Sequence, residues 1–184
     1  MNEFDFVKGA DAEVWQDIAN WEDKADDYVE EFFNNEMERV YGTQFGDNLA
    51  LIAEIAENAT TAPETFRGVR DKEGKLQAGA IVHKDYDYLE VDFMATAPGN
   101  ILLQQRSSLK GAGTTLMEEL VKESRDLGCG GRLKLYAIPR AKQFYTNIGF
   151  VETDEGDWEL TPEAAQRFLE EQKRFRQTKK AVEL

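Results

Sequence analysis

A glycine-containing turn that leads directly into an amphipathic helix constrains this chain more than any other feature of its sequence. Gly111 and Gly113 allow the backbone to curl where a side chain would clash. Apolar residues then recur at helical spacing: Leu116, Met117, Leu120, Val121 and Leu127. The first amides of such a helix have no partner within the helix, and together with the helix dipole they favour the binding of phosphate groups.

Two familiar phosphate-binding patterns do not fit this turn. A P-loop ends in Gly-Lys-Ser/Thr, whereas Lys110 precedes both glycines here. A dinucleotide-binding turn has three glycines directly after a strand. In this chain Leu116 occupies the third position, and about a dozen residues separate the glycines from the preceding strand-like run. Two alternatives remain: a diphosphate site of another kind, or a turn that only starts a core helix.

The predicted elements around the turn follow the order strand, glycine turn, helix, strand, short helix and strand. We predict the first strand at 86–96, the helix at about 109–127, the next strand at 132–138 and the short helix at 141–147. Gly149 then opens a further strand.

The flanking segments also have readable patterns. Residues 1–64 are mostly helical, and an antiparallel pair of strands is predicted at 66–69 and 76–82 around a turn at 71–74. A last strand at 158–160 precedes a helix that begins with a capping Thr161 and a proline.

This order and spacing resemble the GNAT superfamily of acetyl-CoA-dependent N-acetyltransferases, over residues 74–160 approximately. Gly111 and Gly113 match the glycines of the family pattern Arg/Gln-x-x-Gly-x-Gly/Ala. The later family segment Ala-x-x-Phe-Tyr-x-x-x-Gly-Phe is matched by Ala141, Phe144, Tyr145, Gly149 and Phe150. Two positions depart from the family: Ser108 stands where Arg or Gln is usual, and Ile138 stands where many members have Asn.

The resemblance implies an α/β fold of the GNAT type, with a mixed, mostly antiparallel sheet flanked by helices. We expect one domain over residues 1–184. It would comprise a helical segment on the acceptor side (1–64), a cofactor-binding core (65–160) and a carboxyl-terminal helix (161–184).

The resemblance also implies acetyl-CoA as the co-substrate. Its diphosphate is expected at the glycine turn, on Ser108, Leu109, Lys110, Gly111, Ala112, Gly113, Thr114 and Thr115. The pantetheine arm is expected to pair with the backbone of Met94, Ala95 and Thr96, where the family splays two strands. Phe144 is expected to contribute to the same cofactor site.

Catalysis would need a base for the amine and an acid for the departing thiolate. Strand alternation puts Glu90, Asp92 and Met94 on one face. The resemblance implies Glu90 as the base, with a pKa raised by burial, and Asp92 as the substitute; both are otherwise surface acids. Tyr145 matches the family tyrosine that protonates the thiolate, and is otherwise a packed aromatic.

The chain carries a net charge of −14, and residues 1–60 hold 16 acidic against 3 basic side chains. This charge repels nucleic acid and favours an acceptor that carries an amine, either a small molecule or a protein; a solvated surface is the alternative. No signal peptide or membrane span is readable, and the single cysteine suits a reducing compartment, so we expect a cytoplasmic protein. A homodimer is possible.

Acetyl transfer from acetyl-CoA to a primary amine is therefore the predicted function. One alternative is a non-catalytic GNAT descendant that binds an acyl-CoA. The other is a toxin or regulatory acetyltransferase that acts on a protein or an aminoacyl-tRNA. No metal cofactor is expected, because no ligand spacing typical of zinc is present. Acceptor choice is expected to lie in the loops at 43–48 and 98–107.

Overall fold

The structure is a computed structural model. It describes residues 4–102 and 111–182, with side chains as far as residue 178. Within these ranges the helices are α1 (Ala12–Phe33), α2 (Met37–Val40), α3 (Gln44–Thr61), α4 (Ala112–Asp126), α5 (Lys142–Ile148) and α6 (Pro162–Val182). The strands are β1 (Asp5–Lys8), β2 (Phe66–Arg70), β3 (Leu76–Lys84), β4 (Leu89–Thr96), β5 (Leu133–Leu135), β6 (Val151–Glu152) and β7 (Trp158–Leu160).

The strands form a seven-stranded sheet in the order β1-β2-β3-β4-β5-β7-β6. β4 and β5 run parallel, whereas the pairs β1/β2, β2/β3, β5/β7 and β6/β7 are antiparallel. The predicted fold class, a mixed and mostly antiparallel sheet with helices, is thereby confirmed.

Several predicted bounds were wrong. The strand predicted at 86–96 begins at Leu89, because the backbone of Asp85 and Tyr88 closes a turn before it (N···O 3.0 Å). The strand predicted at 132–138 ends at Leu135, four residues before a proline-containing turn begins at Pro139. The short strand β1 was not predicted, and its four residues lack the alternation of buried and exposed side chains that reveals a strand.

The described residues fall into two compact units. The first lies within Met1–His83 and Asp92–Leu116. Its core is a stripe of α1 that includes Val14, Ile18 and Trp21, together with α3, β2 and β3 side chains. The Trp21 indole N–H donates to the Leu76 carbonyl (3.2 Å), which ties the helix to β3. Phe32 of α1 is 37% exposed, because it lies in the last turn of the helix.

The second unit lies within Lys84–Val91 and Met117–Leu184. Its core includes Met117 and Leu120 of α4, Phe150, and Ala165 and Phe168 of α6. Some apolar side chains of this unit are exposed. Leu127, one residue beyond the end of α4, is 41% exposed, and Phe175, in the charged second half of α6, is 67% exposed.

A buried carboxylate links α4 to α6 within this second unit. Glu118 has a side chain only 3% exposed, and both of its oxygens accept hydrogen bonds from the Arg176 guanidinium (2.6 and 2.7 Å). Lys122 adds an ion pair to the same carboxylate (2.9 Å). These two cations outweigh the opposing effect of burial, so the pKa of Glu118 is lowered. Within the described residues, no helix combines the length and the apolar composition that crossing a bilayer requires.

Candidate functional site

The start of α4 has the geometry that the glycine turn predicts. Gly111 has φ +95°, a left-handed conformation, and, apart from its chain neighbours, no atom of the described residues lies within 4 Å of the position that a Cβ would occupy there. Its carbonyl accepts the first helical bond of α4, from the Thr115 amide (2.8 Å). Gly113 is instead an ordinary helical residue of α4. Of the two glycines, only Gly111 uses the conformational freedom of glycine.

The first turn of α4 presents amides and no carboxylate. Helix geometry leaves the N–H groups of Ala112, Gly113 and Thr114 without partners inside the helix, and no acidic residue lies in this turn. The side chains of Thr114 and Thr115 are half-buried. Such a turn attracts a negatively charged group. Ser108, Leu109 and Lys110, predicted to complete this site, lie outside the described residues.

The second half of β4 has one edge that β5 does not cover. The ladder between β4 and β5 ends at the pair Val91 and Leu135, while β4 continues to Thr96. Ala97 donates its amide to the Gln77 carbonyl of β3 (3.0 Å), so alternation turns the backbone of Thr96 and Met94 toward the other edge. The predicted pantetheine contacts therefore include backbone groups on an edge that the ladder leaves open.

Asn48 occupies part of this edge, and the sequence did not predict it. Its amide oxygen accepts from the Thr96 N–H (3.1 Å), and its amide nitrogen donates to the Thr96 carbonyl (2.9 Å). The side chain of Asn48 thus pairs with the strand as a neighbouring strand would. Both backbone groups of Thr96 are thus engaged by Asn48. Of the predicted pantetheine contacts, Met94 also faces this edge, and Asn48 does not bond to it.

The position of Asn48 follows from the way α3 begins. Thr43 caps the helix, its hydroxyl accepting from the Gly46 amide (3.0 Å) and donating to the Val40 carbonyl (2.7 Å). A Cβ at Gly46 would lie 2.3 Å from that same carbonyl, so only glycine fits. The prediction of a loop at 43–48 is therefore wrong. These residues form the cap and first turn of α3, which hold Asn48 against β4.

The β4 face that was predicted to be catalytic carries an unpredicted pair. The Nδ1 atom of His83, in β3, lies 2.6 Å from Oδ2 of Asp92 in β4. The side chains are 50% and 29% exposed, respectively. The side chain of Glu90, on the same face of β4, is exposed, so the burial that we expected to raise its pKa is absent. Its role as a base stays a prediction.

Tyr145 is in α5, within the second unit. Its ring packs edge-on against Phe144 and Phe150, with centroids 5.1 and 5.5 Å away. The residue is 9% exposed, and burial raises the pKa of its phenol to about 12. Within the described ranges no residue hydrogen-bonds to its hydroxyl. The structure thus supports the packed ring and leaves the hydroxyl available for other partners.

The chain after α5 turns sharply to hold this aromatic group. Gly149 has φ +112° and donates its amide to the carbonyls of Tyr145 and Thr146 (3.1 and 3.0 Å). Phe150 donates to the Tyr145 carbonyl (3.1 Å) and is itself buried. The family-like Gly-Phe pair therefore ends α5 and returns an aromatic side chain to Tyr145.

The predicted site residues divide between the two units. Asp92 to Thr96 and Gly111 to Thr115 belong to the first, whereas Glu90, Phe144 and Tyr145 belong to the second. Among the described residues, no three His, Cys, Asp or Glu side chains are placed to hold a metal ion.

The structure is similar to solved acetyltransferases. It aligns with N-acetylglutamate synthase from Neisseria gonorrhoeae, solved with coenzyme A and N-acetylglutamate, at a TM-score of 0.53 and 14% identity. That alignment covers 84% of this chain but only 30% of the synthase. A PaiA N-acetyltransferase from Thermoplasma acidophilum, bound to coenzyme A, gives a TM-score of 0.51 at 16% identity, covering 86% and 97% of the two chains.

A third structure is the catalytic domain of a Tetrahymena histone acetyltransferase in complex with coenzyme A. It gives a TM-score of 0.50 at 13% identity and covers 83% of this chain and 80% of its own. No protein-family model matches the sequence, and no curated protein matches it either. At these identities the likeness concerns the architecture: this chain has the fold of the GNAT acetyltransferases, as its sequence predicted.

Proposed function

We propose that this protein transfers an acetyl group from acetyl-CoA directly to a primary amine. The observation that carries the proposal is the glycine turn at the start of α4, located on a GNAT fold where the family pattern predicts it. The solved structures to which this chain is similar include complexes with coenzyme A.

The start of α4 fits the diphosphate of coenzyme A. Gly111 opens the turn, the amides of Ala112, Gly113 and Thr114 point out of the helix, and no carboxylate of that turn opposes an anion. The hydroxyl of Thr115 would add a donor. Ser108, Leu109 and Lys110 complete the proposed phosphate site in sequence.

The pantetheine arm would extend along the open edge of β4. The backbone of Met94 supplies one donor and one acceptor there, as an added strand would, while Asn48 already holds both backbone groups of Thr96. The Met94 amide, which faces this edge, would also stabilise negative charge on the thioester carbonyl oxygen during attack. Phe144 would pack against the cofactor.

The proposed acid is the hydroxyl of Tyr145. A phenol whose pKa is raised to about 12 stays protonated at neutral pH, and it is available to protonate the thiolate that leaves when the thioester breaks. The proposed base lies on β4, where Glu90 and Asp92 are the candidates from the sequence.

The acceptor is proposed to be cationic. α1 exposes seven carboxylates against one lysine, Lys24; they belong to Glu13, Glu22, Asp23, Asp26, Asp27, Glu30 and Glu31. Such a surface attracts amines before they bind, whether they belong to a small molecule or a protein, and it disfavours nucleic acid.

Binding is tested by calorimetric titration with acetyl-CoA and with CoA. The informative variant is Gly113→Asp, because a carboxylate in the first turn suits the helix dipole but opposes the diphosphate. At about 5 Å and an effective dielectric of about 40, two like charges repel by about 1.7 kcal/mol, more than a tenfold loss of affinity. Gly113→Asn is the matched control, with the same size and no charge.

We expect micromolar binding by the unaltered protein, a loss of at least tenfold in Gly113→Asp and a smaller loss in Gly113→Asn. Absence of binding by the unaltered protein would refute the proposal. Binding that Gly113→Asp leaves unchanged would refute the location of the diphosphate. Binding without transfer to any amine would favour the alternative of a non-catalytic acyl-CoA-binding protein.

A further inference from the structure

We infer that His83 is the base that removes the amine proton and that Asp92 positions its ring. The inference rests on the proposed acetyl transfer and deepens it, because it assigns the base to a residue that the sequence patterns did not single out. Asp92, a candidate base from the sequence, becomes a positioning residue.

The hydrogen bond between the two side chains determines which imidazole nitrogen can act. An ionised carboxylate only accepts hydrogen bonds, so the 2.6 Å contact of Oδ2 with Nδ1 requires the proton of the neutral ring to be on Nδ1. The lone pair of the neutral ring is then on Nε2. Among the described residues none hydrogen-bonds to Nε2, and the side chain is 50% exposed. An incoming amine can reach this atom.

Asp92, which holds the His83 ring, lies closer along β4 to the proposed pantetheine contact than Glu90 does. Asp92 is two residues from Met94, the proposed pantetheine contact, which at ~3.4 Å per residue corresponds to ~7 Å. Glu90 is four residues from Met94, or ~14 Å. The side chains of Asp92 and Met94 share one face of the strand, and His83 adjoins that face by its bond to Asp92.

The ring is also chemically better suited than either carboxylate. An imidazole ordinarily has a pKa of about 6.5, whereas an aspartate has one of about 3.9 and a glutamate one of about 4.3. A base is most effective when its pKa lies near the working pH. His83 is a half-exposed imidazole that a carboxylate orients, whereas Glu90 is an exposed carboxylate.

The amine lone pair forms the C–N bond to the thioester carbonyl carbon, and the amine proton passes to Nε2 of His83. The C–S bond then breaks, and the thiolate takes the proton of the Tyr145 hydroxyl. His83 then releases its proton to water and the tyrosinate takes one from water, so the products are the N-acetyl amine and CoA thiol.

The test compares four variants with the unaltered protein in steady-state acetylation of a panel of amines. His83→Ala and Asp92→Asn should each lower kcat by at least 100-fold, the lower range for a general base, with Kd for CoA within twofold. Because the two residues act as a unit, the double variant should be no worse than His83→Ala alone. Added imidazole should restore part of the activity of His83→Ala. Lys84→Gln, an exposed neighbour, is the control and should keep full activity.

A second measurement reads the ring directly. His83 is the only histidine of the chain, so the nitrogen NMR spectrum of histidine-labelled protein reports this ring alone. We expect the neutral ring to carry its proton on Nδ1 in the unaltered protein, and a neutral ring protonated on Nε2 would overturn the inference. Acetylation that His83→Ala retains within threefold would overturn it too. Absence of transfer by the unaltered protein would instead refute the proposed function, and the role of His83 with it.

Discussion

Replacement of Tyr145 by Phe removes one oxygen atom and leaves the aromatic packing in place. The ring would still lie edge-on to Phe144 and Phe150 at 5.1 and 5.5 Å. No described residue donates to or accepts from the hydroxyl, so the substitution breaks no hydrogen bond of the described structure. This variant therefore separates a catalytic hydroxyl from a structural ring.

The expected change in the free energy of unfolding is small. It should stay within about 1 kcal/mol, the net value of one typical hydrogen bond. Tyr145→Ala serves as the contrasting variant, because loss of a buried aromatic ring ordinarily costs about 3–5 kcal/mol. Urea unfolding followed by tryptophan fluorescence measures both values.

The expected change in activity is large. If the hydroxyl protonates the thiolate, Tyr145→Phe should lower kcat about 100-fold and leave the Kd for CoA unchanged. Steady-state kinetics with acetyl-CoA and an accepted amine measure this. An unchanged kcat in Tyr145→Phe, together with lost stability in Tyr145→Ala, would refute the catalytic role and leave only the packed aromatic.

The raised pKa of Tyr145 adds an independent readout at alkaline pH. Burial raises it to about 12, whereas the unfolded chain ionises its tyrosines near 10, so the unfolded state loses its proton first. The contribution of Tyr145 to the free energy of unfolding is complete below about pH 10 and is lost as the pH rises to about 12. The loss amounts to about 2.7 kcal/mol, since each of the two pKa units corresponds to 1.36 kcal/mol. The Phe variant should lack this part of the alkaline decline.

Two further predictions concern the framework of the site. Arg176→Met should cost about 2 kcal/mol of unfolding free energy in urea titrations: breaking a buried ion pair ordinarily costs ~3–5, but Lys122 still pairs with Glu118. Because the pKa of Glu118 is lowered in the folded state, this stabilisation is present at neutral pH and is lost as the pH falls through the folded pKa. Equal destabilisation by Arg174→Met would contradict a specific role of the ion pair between Arg176 and Glu118. Asn48→Ala should lower the free energy of unfolding by about 2 kcal/mol, because it removes two hydrogen bonds to Thr96. It should also weaken the binding of acetyl-CoA. Unchanged affinity in calorimetry would show that this end of β4 does not contact the cofactor.

Local patterns were sufficient to predict much of this fold. The helix α4, the hairpin of β2 and β3 and the capped start of α6 each depend on a few neighbouring residues, so periodicity and turn chemistry found them. Thr161 indeed accepts a hydrogen bond from the Ala164 amide (3.3 Å). The family-like segment around Tyr145 was predicted for the same reason.

Two side-chain contacts of the site were beyond such patterns. His83 and Asp92 meet across a hairpin, and the predicted strands ended at Val82 and began again at Tyr86, so the register that pairs them was hidden. Asn48 contacts a strand 48 residues later, and no local pattern encodes that distance. The exposure of side chains was not predictable either. Alternation along β4 assigned Glu90 to a face of the strand, but it does not indicate whether other elements cover that face.

The central claim, transfer of an acetyl group from acetyl-CoA to an amine, is tested most directly by release of CoA thiol in the presence and absence of amines. The unaltered protein should release thiol only when an acceptor is added, and mass spectrometry should find the acceptor heavier by one acetyl group. Thiol release that ignores every amine, or none at all despite bound acetyl-CoA, would contradict the account.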